Sequence, residues 1–122
     1  MLGKTATVTT TVTDKNTAKA VGSGSLDVFA TPMMVALMEQ AACECLTDSL
    51  EPGQTSVGTQ IRVDHTAASP LNAIIKATAT ITAVDGRKIS FYVSANDNGK
   101  EIGCGTHERS IINTEKFMTK LL

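Results

Sequence analysis

Three side chains in this sequence are of types that could move a proton or serve a developing oxyanion: Thr31, Glu39 and His65. Glu39 lies inside TPMMVALMEQAACECL, Thr31 to Leu46, a stretch that otherwise reads as a helix built for burial. On an ideal wheel its neighbours within about 60° are Pro32, Val35, Ala36, Ala42, Cys43 and Leu46, none of them polar. The remaining polar residues, Gln40, Glu44, Thr47 and Asp48, gather on another side. Such surroundings disfavour the ionised form and would raise the carboxyl pKa. Burying a carboxylate alone costs energy on the scale of a whole domain's stability, so Glu39 needs either a structural partner or a catalytic use. His65 alternates with Ile61 and Val63 and so points inward; it reads as a satisfied core histidine or as an acid–base group. Two unexpected ionisable groups facing one core add weight to the second reading without deciding between them. Thr31 stands where the helix begins. Its hydroxyl either caps the Met33 or Met34 N–H or, beside free N–H groups and the positive helix end, serves a reacting oxygen.

Other positions are less decisive. Gly58 interrupts a strand pattern, which marks a bulge or a close approach of backbone to ligand. Arg109 in THERSII shares strand parity with Gly103, Gly105 and His107, and an Arg on an outer strand is usually solvated. His107 reads as structural or exposed. The cysteines, Cys43, Cys45 and Cys104, are odd in number with no C-x-x-C pair, and they read as small buried hydrophobes in a reducing compartment. With two histidines far apart and no ligand cluster, a metal site is not expected.

The elements that must position these residues follow from periodicity. Lys4 to Val12 alternates and is rich in Thr and Val, as suits a strand with one wet face. After a Gly/Ser loop, Thr31-Pro32 gives an N-cap and a first helical residue, and the helix is expected to run to about Leu50, before Glu51-Pro52-Gly53. Four strands come next: SVGTQIRVDHT, LNAIIKATATITAV, KISFYVSAND and EIGCGTHERSII. In the second, Leu71, Ala73, Ile75, Ala77, Ala79, Ile81 and Ala83 share a face; in the third, Ile89, Phe91, Val93 and Ala95 do. Asp85-Gly86 and Asn98-Gly99 signal hairpins. The tail TEKFMTKLL either closes as a helix or frays. This order predicts an α+β fold, a curved antiparallel sheet wrapped around one central helix, with inward alanines that let the helix sit close.

Composition removes several function classes. At 122 residues, one domain spanning 1–122 is expected. The 11 basic and 12 acidic residues are scattered, and aromatics are 3% of the chain, so neither a nucleic-acid surface nor a stacking platform is present. The N-terminus has no continuous apolar signal region and no run reaches membrane-spanning length, so a cytoplasmic protein without membrane contact is expected.

The helix MMVALMEQA, the run EPGQTSVGTQIRVDHTAASP, and the segments VDGRKISFYVSANDNGKEIGCGTHERSIIN and EKF resemble the fluoroacetyl-CoA thioesterase family of hotdog-fold proteins. The likeness covers residues 28 to 118. It implies that Thr31, Glu39 and His65 are the catalytic Thr, Glu and His, and that Gly58 and Arg109 are the substrate-contacting Gly and Arg. It also implies hydrolysis of an acyl-CoA thioester by a homodimer, or dimer of dimers, with active sites at the subunit interface and no metal or cofactor beyond the CoA of the substrate. The family's aromatic lid before the helix is replaced here by VGSGSLDVF, where Phe29 alone is aromatic. A short or medium acyl-CoA is therefore the expected substrate rather than fluoroacetyl-CoA. A non-catalytic acyl-CoA-binding protein and an acyl-CoA hydratase or dehydratase are the competing readings.

Overall fold

Alternation of Ala and Ile along one strand decides where the helix lies. In the computed structural model, which describes residues 1–122, the chain runs β1 (Thr5–Thr11), α1 (Ala18–Val21), α2 (Thr31–Leu46), a 3-10 turn (Thr47–Ser49), β2 (Gln54–His65), β3 (Ile74–Asp85), β4 (Lys88–Asp97), β5 (Lys100–Asn113) and α3 (Thr114–Thr119). The five strands make one antiparallel sheet in the order β1-β3-β4-β5-β2, curved around α2 as expected. Ile75, Ala77, Ala79 and Ile81 of β3 and Ile89, Phe91, Val93 and Ala95 of β4 are buried on the inner face. Met34, Leu37, Met38, Ala41, Ala42, Cys45 and Leu46 of α2 pack against them. The small alanines admit the helix, which lies mainly across β3 and β1. The β2 and β5 side of the concave face receives less of it.

Several details differ from the sequence reading. α2 ends at Leu46 and tightens into the 3-10 turn, and Ala30, not Thr31, is the N-cap residue, with no side-chain cap bond. The loop before α2 holds the short helix α1, capped by Thr17. The inward face of β3 stops at Ile81, because the register shift between Ile81 and Ala83 turns Ala83 outward. Of the cysteines only Cys45 is buried; Cys43 is exposed and Cys104 half-buried. Burial raises the Cys45 thiol pKa. β5 is an interior strand, between β4 and β2, so Arg109 is not on an outer strand. Asn98 and Gly99 adopt φ of 51° and 81°, as a tight hairpin between β4 and β5 requires. α3 closes the tail, with the Asn113 side chain accepting from the Lys116 N–H. No helix is long and apolar enough to cross a membrane.

Two loops pin the start of α2. The Phe29 N–H donates to the Ser69 carbonyl and the Ala30 N–H to the Asn16 carbonyl, both at about 3 Å. The end of β2 is tied in turn by Thr66 N–H to the Ile102 carbonyl at 2.7 Å. These bonds bring Thr31 and His65 to one place from segments 34 residues apart.

Candidate active site

Thr31 Oγ lies 2.7 Å from His65 Nδ1. Because the hydroxyl bonds His65, it does not cap the helix. In the tautomer with the proton on Nε2, Thr31 donates to Nδ1, the arrangement of an alcohol nucleophile and its general base. His65 Nε2 is buried with no partner in the chain. Desolvation lowers the His65 pKa below its usual value, partly offset by the nearby Ala67 backbone, and the ring is therefore held neutral near neutral pH, with Nδ1 free to accept. Thr31 is exposed, and its own N–H has no acceptor in the chain at the positive end of a 16-residue helix. A cavity of about 270 Å³ opens beside the pair, lined by Ala18, Ser23, Val28, Phe29, Ala67 and Ala68 among others.

Glu39 belongs to a second group. Eight residues along α2 from Thr31, it is displaced by about 12 Å of helical rise, at 1.5 Å per residue. Its Oε2 accepts from Arg109 Nη1 at 3.1 Å and lies 4.0 Å from His107 Nε2. The enclosure expected around this carboxylate is incomplete: its side chain is 39% exposed. The apolar arc seen on the wheel is only partly covered, with Pro32, Ala36 and Cys43 exposed, because α2 turns its other side to β3 and β1. Glu39 and His65 are therefore not brought together within one chain.

Gly58 stands directly against this carboxylate. A Cβ there would fall 2.7 Å from Glu39 Oε2 and 3.3 Å from Arg109 Nη1, so only glycine leaves the ion pair its space. The register also shifts between Gly58 and Gln60, so Gly58 is both a close approach and the start of a bulge. Arg109 is 6% exposed, with Nε on Ser56 Oγ (2.9 Å), Nη2 on the Ser56 carbonyl (3.1 Å), and Nη1 shared by Glu39 Oε2 and His107 Nε2. A guanidinium has five N–H groups, and protein acceptors occupy four of them here. Arg109 thus orients Glu39 before anything else. Above the pair is a second cavity of about 270 Å³, lined by Glu39, Gly58, Thr59, Gln60, Ile61 and His107.

His107 and Ser56 were not among the site residues expected from the sequence. His107 is 1% exposed, so it is not a surface residue, and its imidazole joins the Glu39–Arg109 group. Its pKa is lowered, chiefly by desolvation and also by the Arg109 charge. The available signal was parity: His107 and Arg109 are two apart on one strand and share a face. Nothing in the local sequence marks Ser56, which reaches Arg109 only through the pairing of β2 with β5.

Comparison with known proteins gives a consistent picture. Residues 12–115 match the family model described as fluoroacetyl-CoA-specific thioesterase. A fluoroacetyl-CoA thioesterase of Streptantibioticus cattleyicolor is 50% identical over 95 residues, 78% of this chain and 68% of that protein. The solved structure of a fluoroacetyl-CoA thioesterase, FlK, superposes with a TM-score of 0.92 at 40% identity, covering 99% of this chain and 94% of the other. A Thermus thermophilus thioesterase superfamily member of unassigned function aligns with a TM-score of 0.92 at 26% identity, over 99% and 90% of the two chains.

Proposed function

The chain belongs to the fluoroacetyl-CoA-specific thioesterase family, and from that premise we propose that it hydrolyses short or medium acyl-CoA thioesters with Thr31, His65 and Glu39 as its catalytic groups. The observation that carries this reading is the 2.7 Å contact between Thr31 Oγ and His65 Nδ1 at a helix N-terminus, beside a cavity open to an acyl group. Thr31 Oγ attacks the thioester carbonyl while His65 Nδ1 takes its proton. The Thr31 N–H and the helix end face the oxyanion. The CoA thiolate leaves and recovers that proton from His65. Water then cleaves the Thr31 ester, with Glu39 as the base that activates it, releasing the acid and regenerating the hydroxyl.

The separation of the two groups along α2 supports a dimeric enzyme in which Thr31 and His65 work with Glu39 of the partner subunit. Two surfaces suit such a dimer. One is the outer edge of β2, 12 residues long, and the other is the uncovered apolar arc of α2. Arg109 and Gly58 contact substrate indirectly in this scheme, by fixing the carboxylate and leaving it room.

Specificity for a fluorinated acetyl group needs a close enclosure, since one small substituent gives only ~1–3 kcal/mol of discrimination. Phe29 forms a wall of the cavity but no cover over it: the residue is 2% exposed and packed into the core, and the segment from Gly22 to Asp27 is exposed and mostly small. The cavity beside Thr31 lies near the lower end of ligand-pocket volumes, ~300 Å³, which suits an acyl chain but not the whole of CoA.

Thiol release measured across a panel of acyl-CoAs tests this reading. We expect release with acetyl to medium-chain substrates and no strong preference for fluoroacetyl-CoA. Binding without release at any chain length would establish an acyl-CoA-binding protein instead. Loss of crotonyl absorbance without free thiol would establish a hydratase.

A further inference from the structure

We propose that His107 is a positioning residue, which fixes the Arg109 guanidinium against Glu39. The inference rests on the reading of Glu39 as a catalytic carboxylate, and it concerns how that carboxylate is aimed.

Two partners of fixed character determine the state of the ring. Nδ1 is 2.7 Å from the Gln60 carbonyl oxygen, which only accepts, so Nδ1 carries the proton. Nε2 is 3.2 Å from Arg109 Nη1, which only donates, so Nε2 is the bare nitrogen. Nη1 has two hydrogens. One goes to His107 Nε2 and the other to Glu39 Oε2. The direction of the second is therefore set by the first. The ring itself has little freedom, being stacked on Phe91 with centroids 5.8 Å apart and planes at 29°. Gly58 closes the other side, where a Cβ would lie 3.4 Å from His107 Cε1.

The chain of contact thus runs from the Gln60 carbonyl, beside the β2 bulge, through imidazole and guanidinium to the carboxylate. If Nε2 lost its acceptor role, Nη1 would keep a buried hydrogen with no partner, and the guanidinium would be free to pivot about its Ser56 contacts. A general base displaced by ~1 Å can lose up to ~10²-fold in rate.

The two ring nitrogens can be tested separately. His107→Gln places an amide oxygen near Nε2, keeping the acceptor for Arg109 and giving up the donor to Gln60. His107→Asn does the reverse. We expect His107→Gln to retain kcat within about threefold, and His107→Asn to lose ~10- to 10²-fold in kcat with KM little changed. In the Arg109→Ala background, His107→Asn should cost nothing further, since it acts through Arg109. The proposal is overturned if Asn rescues better than Gln, if both variants match the parent, or if the Asn and Arg109→Ala losses add independently. Should His107→Asn fail to fold, His107→Leu, which fills the space beside Phe91 without either bond, takes its place, and parent-level kcat there also overturns the proposal. Glu39→Gln assayed in parallel separates the two claims: undiminished turnover in that variant removes the premise itself, whatever the His107 variants do.

Discussion

Thr31 and His65 owe their pairing to loops rather than to each other. Phe29 and Ala30 hang the start of α2 on the Ser69 and Asn16 carbonyls, and Thr66 fastens the end of β2 to Ile102, so the hydroxyl meets the imidazole with both backbones already fixed. Such preorganisation is what a nucleophile and base require. We expect Thr31→Ala, His65→Ala and Glu39→Gln each to lower kcat by ~10²-fold or more while the protein stays folded. Rapid-quench mass spectrometry should find an acyl adduct on Thr31 that persists in Glu39→Gln; free acid formed at the parent rate by Thr31→Ala would exclude the covalent route. The two histidines also predict a pH response. Burial depresses both pKa values below the unfolded value of ~6.5, so at mildly acidic pH the unfolded chain binds more protons than the folded one. Their stabilising contribution is present above pH ~6.5 and is lost as pH falls through the folded pKa values. Melting temperature should therefore drop between pH 7 and 5, and the acid limb of kcat/KM should sit below the usual histidine range. A flat melting profile over that interval would contradict the assigned burial.

The elements act on the site chiefly through β2 and β5. Pairing these strands puts Arg109 across from Gly58, and the bulge that follows brings the Gln60 carbonyl to His107. Gly58→Ala is the sharpest test at this scale. The new Cβ would meet the far end of the Glu39 side chain at 2.7 Å, and a flexible carboxylate can swing away. Activity should fall ~10-fold or more while stability changes by no more than about 1 kcal/mol, read from urea melts beside the turnover assay. Gly105 predicts the opposite balance. A Cβ there would collide with the Arg62 carbonyl and the Val63 backbone, which cannot move without breaking the ladder, so Gly105→Ala should unfold at markedly lower denaturant.

At the scale of the whole molecule, one chain holds the Thr31–His65 pair and the Glu39–Arg109 group apart, and the proposed shared-site dimer makes a definite prediction. His65→Ala and Glu39→Gln, each inactive alone, should regain activity when mixed and refolded together, toward about a quarter of the parent value, because random pairing makes half the dimers mixed and each carries one intact site. No recovery in a sample shown by native mass spectrometry to contain mixed dimers would place the site within a single subunit. The local grammar of this chain determined a good deal by itself. Period-two alternation, the Asp85-Gly86 and Asn98-Gly99 turns and the Thr31-Pro32 helix start specified the five strands, the central helix and the layer class, but not α1 or the end of α2, because these signals depend on near neighbours and on which face is apolar. The odd carboxylate on an apolar arc likewise singled out Glu39, and parity turned His65 inward. Only the tertiary structure decided the rest. Strand order makes β5 interior and so buries Arg109; the offset of α2 toward β1 and β3 leaves Glu39 half-exposed; and crossing loops, not the helix cap, give the Thr31 hydroxyl its partner. Each of these depends on contacts between segments far apart in the chain, and periodicity reports which way a side chain faces but not what it meets there.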